Sequence, residues 1–246
     1  MLRIALLAAA LVGIPFAHAD EGETAVRAAL ATIAPNVKPD QVQKAELPGF
    51  YSVVLRGQVV YVSADGKYLI QGDVVDIQAK ESLSGRALAG VRGAALKDLP
   101  LAKRIVFSPP NPKHTVVVFT DVDCPYCRQF HKQIAAFNQA GIAVQYVFFP
   151  LQIHPNADKK AISVWCAQDR AAAYTAAMNG QDLAGKTCDN PIAETTALGM
   201  KIGIGGTPTI LTPDGTQVNG NAAADAVHLA AELDRLAAVH AATKAK

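Results

Sequence analysis

Residues 116–133 read VVVFTDVDCPYCRQFHKQ, and what they fold into decides the rest of the chain. The run HTVVVFTD (114–121) is rich in β-branched residues and predicts a buried strand. RQFHKQIAAFNQAG (128–141) has the apolar spacing of an amphipathic helix that Gly141 ends. If the helix starts at Pro125, the proline takes the first helical position, where its fixed φ fits and its missing N–H costs nothing. Cys124 then caps the helix, with its sulfur near the free amides and the positive helix end. Such a setting lowers a thiol pKa below the usual value of about 8.5. Cys127 follows nearly one turn later, within disulfide reach. On this reading Cys124 is the exposed attacker and Cys127 the shielded resolving thiol. Arg128 and His131 would support a thiolate, whereas Asp121 and Asp123 would oppose it.

Working outward, IAVQYVFFP (142–150) is a second buried strand, and residues 158–203 are alanine-rich and mostly helical. TPTILTPDGTQVNG (207–220) predicts two short strands around a Pro213-Asp214-Gly215 turn. AAADAVHLAAELDRLAAVHAA (222–242) predicts a long closing helix. Strand, helix, strand, helices, hairpin and helix make an α/β domain around a central sheet. Gly205-Gly206-Thr207-Pro208 leads directly into an apolar strand, where proline is permitted as the first residue. A cis Thr207–Pro208 bond there would expose backbone groups beside the cysteine pair.

Upstream the text changes twice. Residues 1–19, MLRIALLAAALVGIPFAHA, have one basic residue, a short apolar run and Ala17-His18-Ala19, the form of a signal peptide cleaved after Ala19. Ile4 to Phe16 is too short to span a bilayer comfortably. Residues 20–80 predict a small α+β domain: a helix over GETAVRAALATIAP ended by Pro35, then FYSVVLR, QVVYVS and KYLIQG as strands, and a further run, VVDIQ. Arg56-Gly57 and Ala64-Asp65-Gly66 separate the strands as turns. About 60 residues make a thin core, which hints at a partner surface. Residues 81–104 predict a connecting helix weakened by Gly85, Gly90 and Gly93, or equally an ordinary helix packed on one of the domains, and residues 105–246 form the second domain.

With 23 basic and 21 acidic residues, and Arg3 lost with the leader, the charge gives no argument for a nucleic-acid or acidic-membrane partner. All four cysteines, Cys124, Cys127, Cys166 and Cys188, lie beyond residue 120 of an exported chain, so disulfide chemistry leads. A zinc site would draw on two closely spaced pairs, and Cys166 and Cys188 do not form the second. Trp165 reads as core. His154, His228 and His240 show no ligand spacing with each other, and the terminal KAK reads as a solvated tail. His131 reads equally as a thiolate neighbour or a surface histidine.

VVVFTDVDCPYCRQFHKQ, YVFFP (146–150), ISVWCAQD (162–169) and GIGGTPTI (203–210) together resemble the periplasmic disulfide isomerase family typified by DsbC. The resemblance covers nearly the whole mature chain. It implies a thioredoxin-like catalytic domain with a helical insertion, a small N-terminal α+β dimerisation domain, and a linker helix between them. Cys124 and Cys127 match the family's redox pair, with Pro125 and Tyr126 between them, and Thr207 and Pro208 match its threonine–cis-proline loop. Cys166 and Cys188, 22 residues apart, match its second, structural disulfide. The implied partners are misoxidised exported proteins, a second copy in a V-shaped homodimer, and a DsbD-type membrane thiol reductase as electron donor. No cofactor or metal is implied.

One departure stands out: the pair encloses Pro-Tyr, where DsbC itself usually carries Gly-Tyr and DsbG and the glutaredoxins carry Pro-Tyr. Redox potential and client range therefore stay open. A net oxidase, a reductase that protects single cysteines and a holdase chaperone remain rival readings.

Overall fold

The computed structural model describes residues 20–78 and 81–244. The expected signal peptide, residues 1–19, lies outside them, as do the last two residues of the tail. The Asp20 carboxylate accepts from the Gly22 amide and caps helix α1 (Glu21–Ile33), giving the helix start a partner for one of its free donors. Strands β1 (Gln41–Lys44), β2 (Phe50–Leu55), β3 (Gln58–Ser63) and β4 (Leu69–Gln71) form an antiparallel sheet in chain order. Strand β1 was not expected: QVQK places one strong β-former between polar residues, and its pairing with β2 completes it. Val26 and Leu30 of α1 pack on Tyr51, Val53, Val60 and Val62, one face of that sheet. VVDIQ becomes the two-residue strand β5 (Val75–Asp76), paired with β6 (Glu81–Ser82).

Helix α2 (Leu83–Asp98) runs through all three glycines without a break, capped by the Ser82 hydroxyl on the Gly85 amide. It is no loose connector. Ala87, Leu88 and Val91 cover the second face of the first sheet, against Val54, Val59 and Tyr61. Leu96 and the following Leu99 join a different core, with Val117, Phe119, Val147, Phe149, Ile202 and Leu211. Burying a leucine or valine side chain fully contributes about 1.5–3 kcal/mol, enough over Leu88, Val91, Leu96 and Leu99 to outweigh the ~1 kcal/mol cost of each helical glycine.

The second sheet has the order β10–β8–β9–β7, from β7 (Ile105–Phe107), β8 (His114–Thr120), β9 (Ile142–Phe148) and β10 (Thr209–Leu211). β8 and β9 are parallel, with Val118 opposite Tyr146, and the outer strands are antiparallel to them. The expected second strand of the 207–220 hairpin shrinks to a single bridge between Leu211 and Gln217.

The helices depart from expectation at two places. The 128–141 helix divides into α3 (Pro125–His131) and α4 (Ile134–Gln139), with the Gln133 amide bonding to the Phe130 carbonyl in a tighter turn. Three more helices follow, α5 (Ala157–Trp165), α6 (Arg170–Met178) and α7 (Ile192–Lys201). The closing helix α8 spans Ala226–Lys244 and starts late, because the Asp225 carboxylate accepts from the Val227 and His228 amides. Residues 220–224 form a 3₁₀ turn instead.

Candidate active site

The end of β8 delivers the reactive stretch. Thr120, Asp121 and Val122 are buried, and the turn they enter places Cys124 as the N-cap of α3 with Pro125 at its first position. The expectation that Cys124 is exposed does not hold. It is 3% exposed and Cys127 1%, because the loop carrying Thr207 and Pro208 packs over the pair. Both residues are buried, and their sulfurs differ in surroundings. Pro125 and Tyr126, between them, are both exposed, Tyr126 at 70%.

The Thr207–Pro208 bond is cis, and this loop meets Cys124 directly. The Cys124 thiol donates to the Thr207 carbonyl at 3.1 Å. The Thr207 hydroxyl is buried and finds no partner among the described residues, which leaves it as a donor for the sulfur once the thiol is ionised. The Cys127 thiol holds the Cys124 pKa down most strongly, and Thr207 and the Cys127 and Tyr126 amides at the helix start add to this, against the effect of burial. Together they lower it to about 5. At pH 7 such a group is almost wholly thiolate, against about 3% for an ordinary cysteine. Burial, followed by the neighbouring Cys124 sulfur, pushes Cys127 the other way, well above the ordinary thiol range. Attacker and resolver are thereby separated by environment.

The four charged neighbours expected to compete over Cys124 are otherwise engaged. Arg128 donates to the Val122 carbonyl and to Asp123, and Lys160 closes on Asp123 from α5. The Asp121 carboxylate accepts from the Asp123 and Leu151 amides and pairs with the His154 ring at 2.9 Å. His131 is neither a surface histidine nor a cation beside the sulfur. It is buried between Tyr146 and Thr175, at 2.9 and 3.0 Å, and burial lowers its pKa to about 4.

Two partnerships escaped the sequence reading, Asp121 with His154 and Thr120 with Tyr174 at 2.8 Å. Both join residues more than thirty positions apart with no shared motif, so no local signal marks them. Cys166 and Cys188 form a disulfide with a Cα separation of 5.7 Å, while Cys124 and Cys127 are free. Trp165 is core, with the Arg170 guanidinium 3.8 Å over its ring. Among the described residues no group of histidine, cysteine and acidic side chains could hold a metal ion. A groove of about 450 Å³ beside the pair is lined by Tyr126, Phe130, Pro208, Ile210, Val218 and Asn221.

Residues 16–85 match the family described as the disulfide bond isomerase protein N-terminal domain, and residues 102–237 match the thioredoxin-like domain family. The thiol:disulfide interchange protein DsbC of Escherichia coli K12 is 36% identical over 208 residues, 83% of this chain and 84% of that protein. Its Salmonella typhimurium counterpart is 34% identical over 222 residues, 89% of each. A solved disulfide interchange protein from Neisseria gonorrhoeae is 37% identical, covering 49% of this chain and 87% of its own, with a TM-score of 0.45. With relatives matched over most of their length and family matches on both sides of α2, the chain belongs to the DsbC family of thiol:disulfide interchange proteins, oxidoreductases that isomerise disulfides with a thioredoxin-like domain.

Proposed function

We propose that this isomerase works through Cys124 as attacking thiolate and Cys127 as resolving thiol. The Cys124 thiolate attacks one sulfur of a wrong client disulfide, forms a mixed disulfide and releases the other client sulfur as a thiolate. A client thiolate then attacks the mixed disulfide at the client sulfur, forms the rearranged bond and expels Cys124 as thiolate. If this stalls, the Cys127 thiol loses its proton and attacks the Cys124 sulfur. The client leaves reduced, and the pair, now a disulfide, needs two electrons from a DsbD-type membrane thiol reductase to act again. Pro208 borders the groove in which the client chain lies and Thr207 meets Cys124 beside it, with Pro125 fixing the helix start and Tyr126 facing the client. The observation that carries this reading is Cys124 at the N-cap of α3, its sulfur 3.1 Å from the Thr207 carbonyl of the cis-proline loop, with Cys127 buried one turn on.

The domain limits belong to the same proposal: a leader over 1–19, a dimerisation domain over 20–80, a linker over 81–104 and the catalytic domain over 105–246. Export to the periplasm is supported by the leader pattern, and among the described residues no helix is long and apolar enough to cross a membrane. A homodimer is supported by the edge strand β4, whose three residues are exposed, and by Tyr68, Val75 and Ile77 exposed around it. The test is recovery of activity from scrambled, fully oxidised ribonuclease by catalytic amounts of the reduced protein. Recovery abolished by Cys124→Ser is the expected result. Recovery that survives the change refutes the assignment of the nucleophile.

A further inference from the structure

Arg92, in the middle of α2, is a charged side chain only 4% exposed. Its guanidinium donates Nε to the Ile202 carbonyl at 3.0 Å, Nη2 to the Gly203 carbonyl at 3.1 Å and Nη1 to the Gln217 side chain at 3.0 Å. Ile202 caps the C-terminus of α7, and Gly203 turns the chain out of the helix at φ +74°. A cation at a helix C-terminus is favoured by the helix dipole, and these carbonyls have few other donors available. Four residues after Gly203 comes Thr207, which touches Cys124. Gln217 stands on the far side of β10, in the bridge to Leu211. One side chain of the linker helix therefore holds both flanks of the segment that carries the cis proline.

Two glycine contacts reinforce this. A Cβ on Gly93 of α2 would overlap the Asp214 backbone, and one on Gly215 would overlap Ala89 and Gly93. The helix thus lies directly against the turn after β10. Gly57, at the tip of the β2–β3 hairpin, meets Gly203 so closely that a Cβ on either would overlap the other's backbone. The N-terminal sheet reaches the same loop.

We infer that Arg92 is a positioning residue of the redox site, and that with the Gly57–Gly203 contact it makes the setting of the Thr207–Pro208 loop over Cys124 depend on how the linker and N-terminal domain are seated. The inference rests on Cys124 and Cys127 being the redox pair. The test uses the full-length mature protein equilibrated with glutathione, in which the enzyme dithiol and glutathione disulfide exchange to enzyme disulfide and two glutathione thiols. Loosening the loop withdraws support from the Cys124 thiolate, so Arg92→Met is expected to move this equilibrium toward the disulfide by about threefold to tenfold. Gly57→Ala, whose Cβ would press on the Gly203 backbone and which also strains the hairpin tip at φ +73°, perturbs the contact from the N-terminal side and is expected to move it the same way by less. Arg170→Met is the control, since Arg170 bonds the Trp165 carbonyl and lies over the Trp165 ring, away from both the linker and the loop. An unchanged equilibrium in Arg92→Met and Gly57→Ala, or an equal shift in Arg170→Met, overturns the inference. A wild-type protein that shows no exchange with glutathione overturns the redox assignment instead.

Discussion

The two cysteine pairs sit at opposite ends of helices. Cys124 is the N-cap of α3, where free amides and a positive helix end favour an anion, and its partner lies three residues on. Cys166 is the C-cap of α5, where carbonyls point outward and the helix end is negative, and its partner Cys188 is 22 residues away. The first pair is free and the second is closed. A thiolate is stabilised in one place and has no support from the helix in the other, so a single residue type divides into a reagent and a staple. The family resemblance implied the division, and helix polarity explains it.

The largest expected effect breaks the comparison at the reagent. In a Cys127→Ala background, the mixed disulfide with an oxidised client should accumulate, because the resolving thiol is gone. Adding Cys124→Ser should abolish that adduct by more than about a thousandfold, since a hydroxyl replaces the thiolate nucleophile. Adding Cys166→Ala with Cys188→Ala should leave it within about threefold. Adduct yield on non-reducing gels distinguishes the two, and equal losses would erase the difference between the pairs.

The next effect reverses the roles. Replacing both Cys166 and Cys188 by alanine opens the loop and should lower stability by about 3 kcal/mol in the chain-entropy model. Urea unfolding of the oxidised protein reads this directly, while the glutathione equilibrium of Cys124 and Cys127 should stay near the wild-type value. A variant as stable as wild type would remove the structural role of the staple.

How much of this was legible in the sequence depends on distance along the chain. Pro125 at the first helical position, Cys124 as cap and Thr207-Pro208 before a strand are local patterns, and the structure places all four residues as read. The long-range charge balance was not legible. Arg128, Asp121 and Asp123 looked free to act on the sulfur, but each is occupied by a partner that only the folded chain supplies, Lys160 and His154 among them. The linker stayed between two readings for the same reason. Its glycines read as weakness, yet Gly93 is small because the 214 turn presses on it, a contact more than a hundred residues away. Burial of Cys124 under the Thr207 loop also needed the fold.

A third, smaller effect sharpens the electrostatic side. Alkylation of Cys124 should be half-maximal near pH 5, the value set chiefly by the Cys127 thiol. Thr207→Val removes the hydroxyl and should raise that midpoint by up to about one pH unit, or tenfold in proton affinity. The sign carries into stability. The folded pKa lies below the unfolded one of about 8.5, so the reduced protein gains stability from this thiolate above the unfolded value and loses it as pH falls toward 5. Cys124→Ser should remove that dependence, and unfolding free energies of the reduced proteins between pH 5 and 9 would reveal it.

The smallest effect concerns His131, which ties the two regions together. Its ring sits on α3, four residues after Cys127, and its Nε2 pairs with Thr175 on α6, inside the segment bounded by Cys166 and Cys188. Its other nitrogen pairs with Tyr146 of β9. At pH 7 His131→Gln should cost about 1 kcal/mol, since the amide can keep one of these two hydrogen bonds. On the acid side the difference should shrink. Burial lowers the folded pKa to about 4, while the unfolded ring takes up its proton near 6.5, so the unfolded state binds more protons in that window. The wild-type protein then loses stability from His131 as pH falls from about 6.5 toward 4, and the glutamine variant does not. Urea midpoints that converge over this range would place a neutral histidine between the reagent and the staple. Midpoints that stay parallel would mean that the ring is protonated in the fold, and that a cation does stand behind the Cys127 helix.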